Sequence, residues 1–95
     1  MPLFIRLASL TDKGSEDVRD FTKLVDETRK ALEAHGGRMV KAFVTLGRYD
    51  LVALIEAPDA RTAARASALI AGQGKFKAET LMAIPVEEFT KDVGL

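Results

Sequence analysis

Residues Leu51-Val52-Ala53-Leu54-Ile55 are apolar at every position, and this stretch limits the possible folds more than any other in the chain. A strand with one wet face alternates apolar and polar side chains, whereas a strand covered on both faces has no reason to. The run before it, Lys41-Ala42-Phe43-Val44-Thr45-Leu46, is rich in β-branched and aromatic residues, and Gly47-Arg48-Tyr49-Asp50 lies between the two. Together they read as a β-hairpin with arms Arg38 to Leu46 and Tyr49 to Ala57, Gly47 carrying the positive φ of the turn. Both faces of the second arm must find cover.

The flanking chain divides readily. Leu3 to Leu10 is mostly apolar with one charge, Arg6, and reads as a strand ended by the turn residues Thr11-Asp12-Lys13-Gly14. From Ser15 the apolar period changes to three and four through Val18, Phe21, Leu24, Val25, Thr28 and Leu32, which predicts an amphipathic helix. Ser15 is its expected cap, with Glu16 and Asp17 favourably placed against the helix dipole and Thr22 as a second capping position. Gly36-Gly37 ends it. After the hairpin Pro58 stops the strand, Asp59 caps a second helix, and Ala60, Ala63, Ala64, Ser67 and Ile70 form a small-residue face for close approach to a sheet. Gly72-Gln73-Gly74 closes that helix. Lys75 to Ile84 is a fourth strand, with Phe76, Ala78, Thr80, Met82 and Ile84 on one side, and Val86 to Val93 is a tail of one or two helical turns.

Ninety-five residues form one domain, able to bury roughly 60 to 70% of the surface of its unfolded chain. Fourteen basic and fourteen acidic side chains cancel, so no global field attracts nucleic acid or an anionic membrane. The absence of Cys removes disulfides, thiolate chemistry and cysteine metal sites, and fits a reducing cytoplasm. With one His and no Cys, a zinc site is not expected. The chain opens straight into Leu3-Phe4-Ile5-Arg6-Leu7 without a secretory pattern, and no apolar run reaches membrane-spanning length. A soluble cytoplasmic protein is the expectation. Neither Walker nor dinucleotide spacing surrounds Gly72-Gln73-Gly74, and no cofactor is expected.

Strand, helix, strand, strand, helix, strand is the split βαβ order of an α+β, ferredoxin-like βαββαβ sandwich, a four-stranded antiparallel sheet with two helices on one face. The other face stays apolar by parity. A monomer rarely tolerates an exposed aliphatic patch of that size, so the expected cover is a second copy, sheet against sheet, in a homodimer or higher homo-oligomer.

Beyond these patterns, Thr11-Asp12-Lys13-Gly14, Gly36-Gly37, Leu46-Gly47-Arg48-Tyr49-Asp50, Glu56-Ala57-Pro58-Asp59, and Gly72-Gln73-Gly74 followed by Glu79-Thr80-Leu81 occur in an order and spacing similar to those of the GYD-domain family. That family belongs to the dimeric α/β-barrel superfamily of small bacterial proteins, and the resemblance extends nearly end to end. More distantly the chain resembles the ligand-binding domains of Lrp/AsnC-type regulators. The resemblance implies the fold and dimerisation and carries over no catalytic residue.

Five side chains are candidates for a site. Tyr49 and Asp50 place a phenol and a carboxylate at the hairpin mouth, where they can bind or protonate a small polar ligand; the plainer reading is that Asp50 accepts turn amides and Tyr49 packs its ring. Arg6 interrupts a central strand, and a buried guanidinium needs an acceptor. Glu79 or Glu56 on the flanking strands is the expected partner, within one subunit or between two; the alternative is a ligand carboxylate or enolate held bidentately. Thr80 resembles the family's late-strand threonine, as a ligand donor or a cross-strand partner. His35 is the one histidine, placed as a solvated helix-end residue or a proton-transfer base.

Two functional readings follow. The first is a small-molecule binding or regulatory module with a pocket at the subunit contact near Gly47 to Asp50, its ligand small and apolar or aromatic. The second is a cofactor-free monooxygenase or muconolactone-isomerase-like enzyme, with a cavity between sheet and helices lined by Phe21, Leu24, Phe43 and Ile70. RNA binding shares the topology, but Leu51, Ala53 and Ile55 stand where stacking aromatics are required.

Overall fold

A computed structural model describes residues 1–12, 18–71, 74 and 76–94, with backbone alone at 18–20, 70 and 71. The elements run β1 (Leu3–Leu10), α1 (Val18–Ala34), β2 (Arg38–Val44), β3 (Leu51–Glu56), α2 (Ala60–Ala71), β4 (Phe76–Ala83) and α3 (Val86–Asp92). The strands form one antiparallel sheet in the order β2-β3-β1-β4, with α1 and α2 on one face. This is the expected ferredoxin-like sandwich. The tail forms a third helix, α3, none of whose residues is buried. No helix among the described residues is long and apolar enough to cross a membrane.

The turns and caps follow from local chemistry. Gly36 takes φ 83°, Gly37 donates to the Leu32 carbonyl at 2.8 Å and Gly36 donates to Glu33 at 3.1 Å, the paired bonds that close a helix through a left-handed residue. Gly37 is needed for another reason. A Cβ there would stand 2.9 Å from the carbonyl oxygen of Glu56 and 3.3 Å from that of Leu32, so the end of α1 rests directly on β3. Replacing Gly37 by Ala is expected to lower the unfolding free energy by about 1–3 kcal/mol, measured by urea denaturation, because neither carbonyl is free to withdraw. At the second helix the Asp59 carboxylate accepts the Thr62 amide at 2.8 Å, as its capping role requires. That bond, with the Thr62 hydroxyl, lowers the Asp59 pKa below 3.8. The cap is therefore complete at neutral pH and is lost only as the solution is acidified below that value.

Some expectations fail locally. Thr22 lies inside α1, one turn past Val18, and caps nothing, because the helix begins earlier than that position. The Ser15, Glu16 and Asp17 assignments fall outside the described residues, as do Lys13, Gly14, Gly72, Gln73 and Lys75 of the expected turns and strand start. On α2 the buried stripe is Thr62, Ala63 and Ala66, while Ala60 and Ala64 are exposed. The helix is therefore rolled toward Thr62, which leaves Ser67 at the edge of the contact. The hairpin ladder also stops early, at Val44 and Leu51. Beyond it Thr45 donates its amide to Asp50 at 2.9 Å and its hydroxyl to Tyr49 at 2.6 Å, so the loop is wider than a tight turn. Gly47 takes φ 107° as its place in that loop demands.

Pairing settles which side chains share a face. Phe4, Arg6 and Ala8 face the helices together with Leu51, Ala53 and Ile55 of β3, and with Phe76, Ala78, Thr80 and Met82 of β4. The core beneath the helices is split in two. Phe4, Leu32, Ala53, Ile55, Ala57, Ala63 and Ala66 form one cluster, and Ala8, Leu24, Leu51 and Phe76 the other. Arg6 stands between them. The opposite face carries Leu3, Ile5, Leu7, Val52 and Leu54, with Phe43 and Leu81 43% and 48% exposed. No described element lies over it, which matches the aliphatic parity of β3.

Candidate functional site

The sequence candidates separate into three places. At the hairpin mouth the Asp50 carboxylate accepts the Leu10 amide at 2.8 Å, while its own amide donates to the Ala8 carbonyl at 2.9 Å. Asp50 therefore extends the β1–β3 ladder past Leu51: its side chain fastens the loop to β1, while its carbonyl holds the Thr45 amide across the loop. Removing the acceptor leaves the Leu10 amide unmet, and Asp50→Ala is expected to cost about 1–2 kcal/mol in chemical denaturation. Tyr49 behaves differently. Its hydroxyl donates to Glu79 at 3.1 Å on the exposed open face, so Tyr49→Phe is expected to change stability by less than about 0.5 kcal/mol. The Ser9 hydroxyl donates to the Arg48 carbonyl at 2.9 Å, and Leu7, Ser9, Arg48, Tyr49, Lys77 and Glu79 line a shallow cleft there.

His35 stands alone at the C-terminus of α1. It is exposed and borders a shallow depression with Arg65, Ala68 and Leu69 of α2. Neither hairpin residue shares it.

Arg6 and Thr80 do come together. They are register partners on β1 and β4, and both face the helix layer. Arg6 is only 3% exposed, and its Nη1 donates to the Ser67 hydroxyl of α2 at 2.7 Å. The Ser67 and Thr80 hydroxyls are 3.3 Å apart. Nη2 of Arg6 is buried without a hydrogen-bond partner among the described residues. Burial alone pushes the guanidinium below its ordinary pKa.

The expected partners of Arg6 are elsewhere. Glu79 pairs with Leu7 and Glu56 with Leu3, so both carboxylates are on the open face, across the sheet from the guanidinium. Each has its own partner: Glu79 binds Tyr49, and Glu56 lies 3.2 Å from Arg38. Strand alternation makes an Arg6–Glu79 pair within one chain impossible without a one-residue slip. Ser67, which the sequence marks only as one small residue among several, is the group that meets Arg6.

The proposed enzyme cavity also divides. Phe21 packs edge to face on Phe76 with ring centroids 6.0 Å apart, and Leu24 is buried beside them. Phe43 pairs with Val52 and belongs to the open face, where the Lys41 ammonium lies 5.4 Å over its ring. By parity Phe43 belongs to the open face, although at the β2 edge it still borders the space beside α1, and the Ile70 side chain lies outside the described residues. An apolar groove at the β2 edge is lined by Phe21, Thr22, Val25, Ala42, Phe43, Val44 and Leu51, so Phe21 and Phe43 do border a common space there.

Comparison with known proteins agrees with this architecture. The profile of the GYD domain matches residues 4–93, nearly the whole chain. The chain belongs to the GYD-domain family. A relative from Thermus thermophilus named glutamine synthetase and cystathionine beta-lyase binding protein is 43% identical over 89 residues, covering 93% of this chain and 94% of its own length. Two crystal structures share the fold. FFRP-DM1 superposes with a TM-score of 0.62 at 17% identity, covering 88% of this chain and all of its own. TTHA0845, also from Thermus thermophilus, gives 0.57 at 20% identity, covering 88% and 94%. GYD-domain membership and the ferredoxin-like sandwich thus rest on independent comparisons of sequence and of shape.

Proposed function

We propose that this GYD-domain chain is a binding and regulatory module of the cytoplasm that works as a homo-oligomer, taking a small molecule and docking on a metabolic enzyme. The observation that carries the reading is the uncovered apolar face of the sheet, Leu3, Ile5, Leu7, Val52, Leu54, Phe43 and Leu81, rimmed by Arg38, Glu56, Lys41, Tyr49 and Glu79. An apolar centre inside a polar rim is the anatomy of a macromolecular contact. A second copy of the chain supplies the same aliphatic surface, as a two-fold sheet-to-sheet contact needs. The name of the Thermus thermophilus relative supports a protein partner, and a 43% identical match over nearly the whole of both chains makes glutamine synthetase and cystathionine beta-lyase the enzymes to try first.

The test uses those two enzymes, purified from the organism that encodes this chain, immobilised in turn for biolayer interferometry against the intact protein. Saturable binding to either one, with the chain itself eluting as a multiple of its 10.3 kDa mass, is the expected result. Binding to neither, together with a monomeric chain, overturns the reading.

A further inference from the structure

Arg6 presents a chemical imbalance that the rest of the molecule leaves uncorrected. A guanidinium has five donors and no acceptor, and a buried one is normally matched by a carboxylate or by several carbonyls. Here one η nitrogen donates to a neutral hydroxyl and the other has no described partner, although the residue is only 3% exposed. No described carboxylate lies within ion-pair distance; the nearest by register, on Glu79 and Glu56, are behind the sheet. A buried cation without a counter-charge is costly unless something arrives to balance it.

Arg6 itself is buried, but the β4 residues beside it are not. Of the helix-facing residues of β4, Phe76 is buried, but Ala78, Thr80 and Met82 are exposed. Exposed Thr80 and half-buried Ser67 connect Arg6 to the surface, through contacts of 3.3 Å between the hydroxyls and 2.7 Å from Ser67 to the guanidinium. We propose that Arg6, Ser67 and Thr80 form a receptor for a small monocarboxylate entering between α2 and β4. One carboxylate oxygen takes the hydrogen bond of Arg6 Nη2, and the other takes the hydroxyl proton of Ser67 or Thr80.

Charge selects the ligand class. The receptor holds one positive charge and two neutral hydroxyls, and the residues nearest Arg6 on the same face of the sheet, Phe4, Ala8 and Ala53, are apolar. A monocarboxylate neutralises that charge once, whereas a phosphate dianion would leave a net negative charge among aliphatic groups. The bound acid therefore has a short apolar body. This proposal rests on the small-molecule part of the function proposed above and names its ligand class and residues.

The experiment is thermal unfolding of the intact protein with millimolar isobutyrate or benzoate, against sodium chloride at matched ionic strength and against inorganic phosphate. A carboxylate at about ten times its Kd should raise the midpoint by a few degrees in a chain of this size, and chloride and phosphate should not. Arg6→Met should abolish that rise and Ser67→Ala should reduce it, both variants folding as judged by circular dichroism. An equal rise in Arg6→Met places the carboxylate elsewhere and overturns the proposal. A rise with phosphate alone overturns the ligand class while leaving small-molecule binding intact. No rise with any carboxylate, when the protein still binds its partner enzyme, overturns the receptor without touching the protein-binding role.

Discussion

Replacing Arg6 with Met should make this protein more stable, by about 1–3 kcal/mol, with a thermal midpoint higher by roughly 5–15 °C in a domain of this length. The sign is unusual, since most core substitutions destabilise. It follows from the surroundings of the guanidinium. Arg6 separates two apolar clusters that face the same helices, and it contributes one good hydrogen bond, to Ser67, against the desolvation of a whole charge. Met has a similar length, no charge and enough torsional freedom to fill the gap. The Ser67 hydroxyl keeps Thr80 as a partner 3.3 Å away, so the change does not leave it isolated. Arg6→Ala should behave oppositely and destabilise, because it leaves a cavity where Met fills one. Differential scanning calorimetry of both variants separates the two effects. A large loss of stability in Arg6→Met would mean that the guanidinium is balanced by a group in the folded protein, and the carboxylate receptor would lose its basis.

The second large effect concerns assembly. Leu54 lies at the centre of the open face, between Ile5 of β1 and Lys41 of β2. A Glu there would point away from the helices and, since Leu54 is half-buried, lower the stability of the single chain by about 1 kcal/mol without changing its fold. Between two apposed sheets the same carboxylate would be buried without a partner. That costs several kcal/mol per copy, and a symmetric contact carries it twice. Self-association should weaken by roughly a thousandfold or more, about 4 kcal/mol. Light scattering at equal concentration should find Leu54→Glu as a single chain of 10.3 kDa, its circular dichroism unaltered. An unchanged mass would show that the sheets do not meet at Leu54.

How far the sequence reveals this molecule depends on how local each feature is. The hairpin, the Asp59 cap and the Gly36 helix end are legible because each is decided within a few residues by φ, by an orphan amide or by alternation. The facing of Phe76, Ala78, Thr80 and Met82 is legible too, since parity within one strand needs no partner. The partner of Arg6 is not. It depends on which residues of β1 and β4 stand opposite each other, and one step of register moves a carboxylate to the far side of the sheet. Ser67 is hidden for a related reason: a serine among alanines has no signature until a strand places a guanidinium beneath it. Phe43 reads as a cavity residue on hydrophobicity alone; its pairing with Val52 assigns it to the open face, yet at the β2 edge it still borders the groove that Phe21 lines.

The homo-oligomer proposed above would close the sheet's second face with another molecule, for the fold is two layers deep and only 17 Å in its shortest dimension. Sedimentation equilibrium of the unaltered chain across the micromolar range measures this directly. A mass of at least two chains, independent of concentration over that range, is the predicted result. A single species at 10.3 kDa throughout would contradict it, since the aliphatic face of β1 and β3 would then be stable in water on its own.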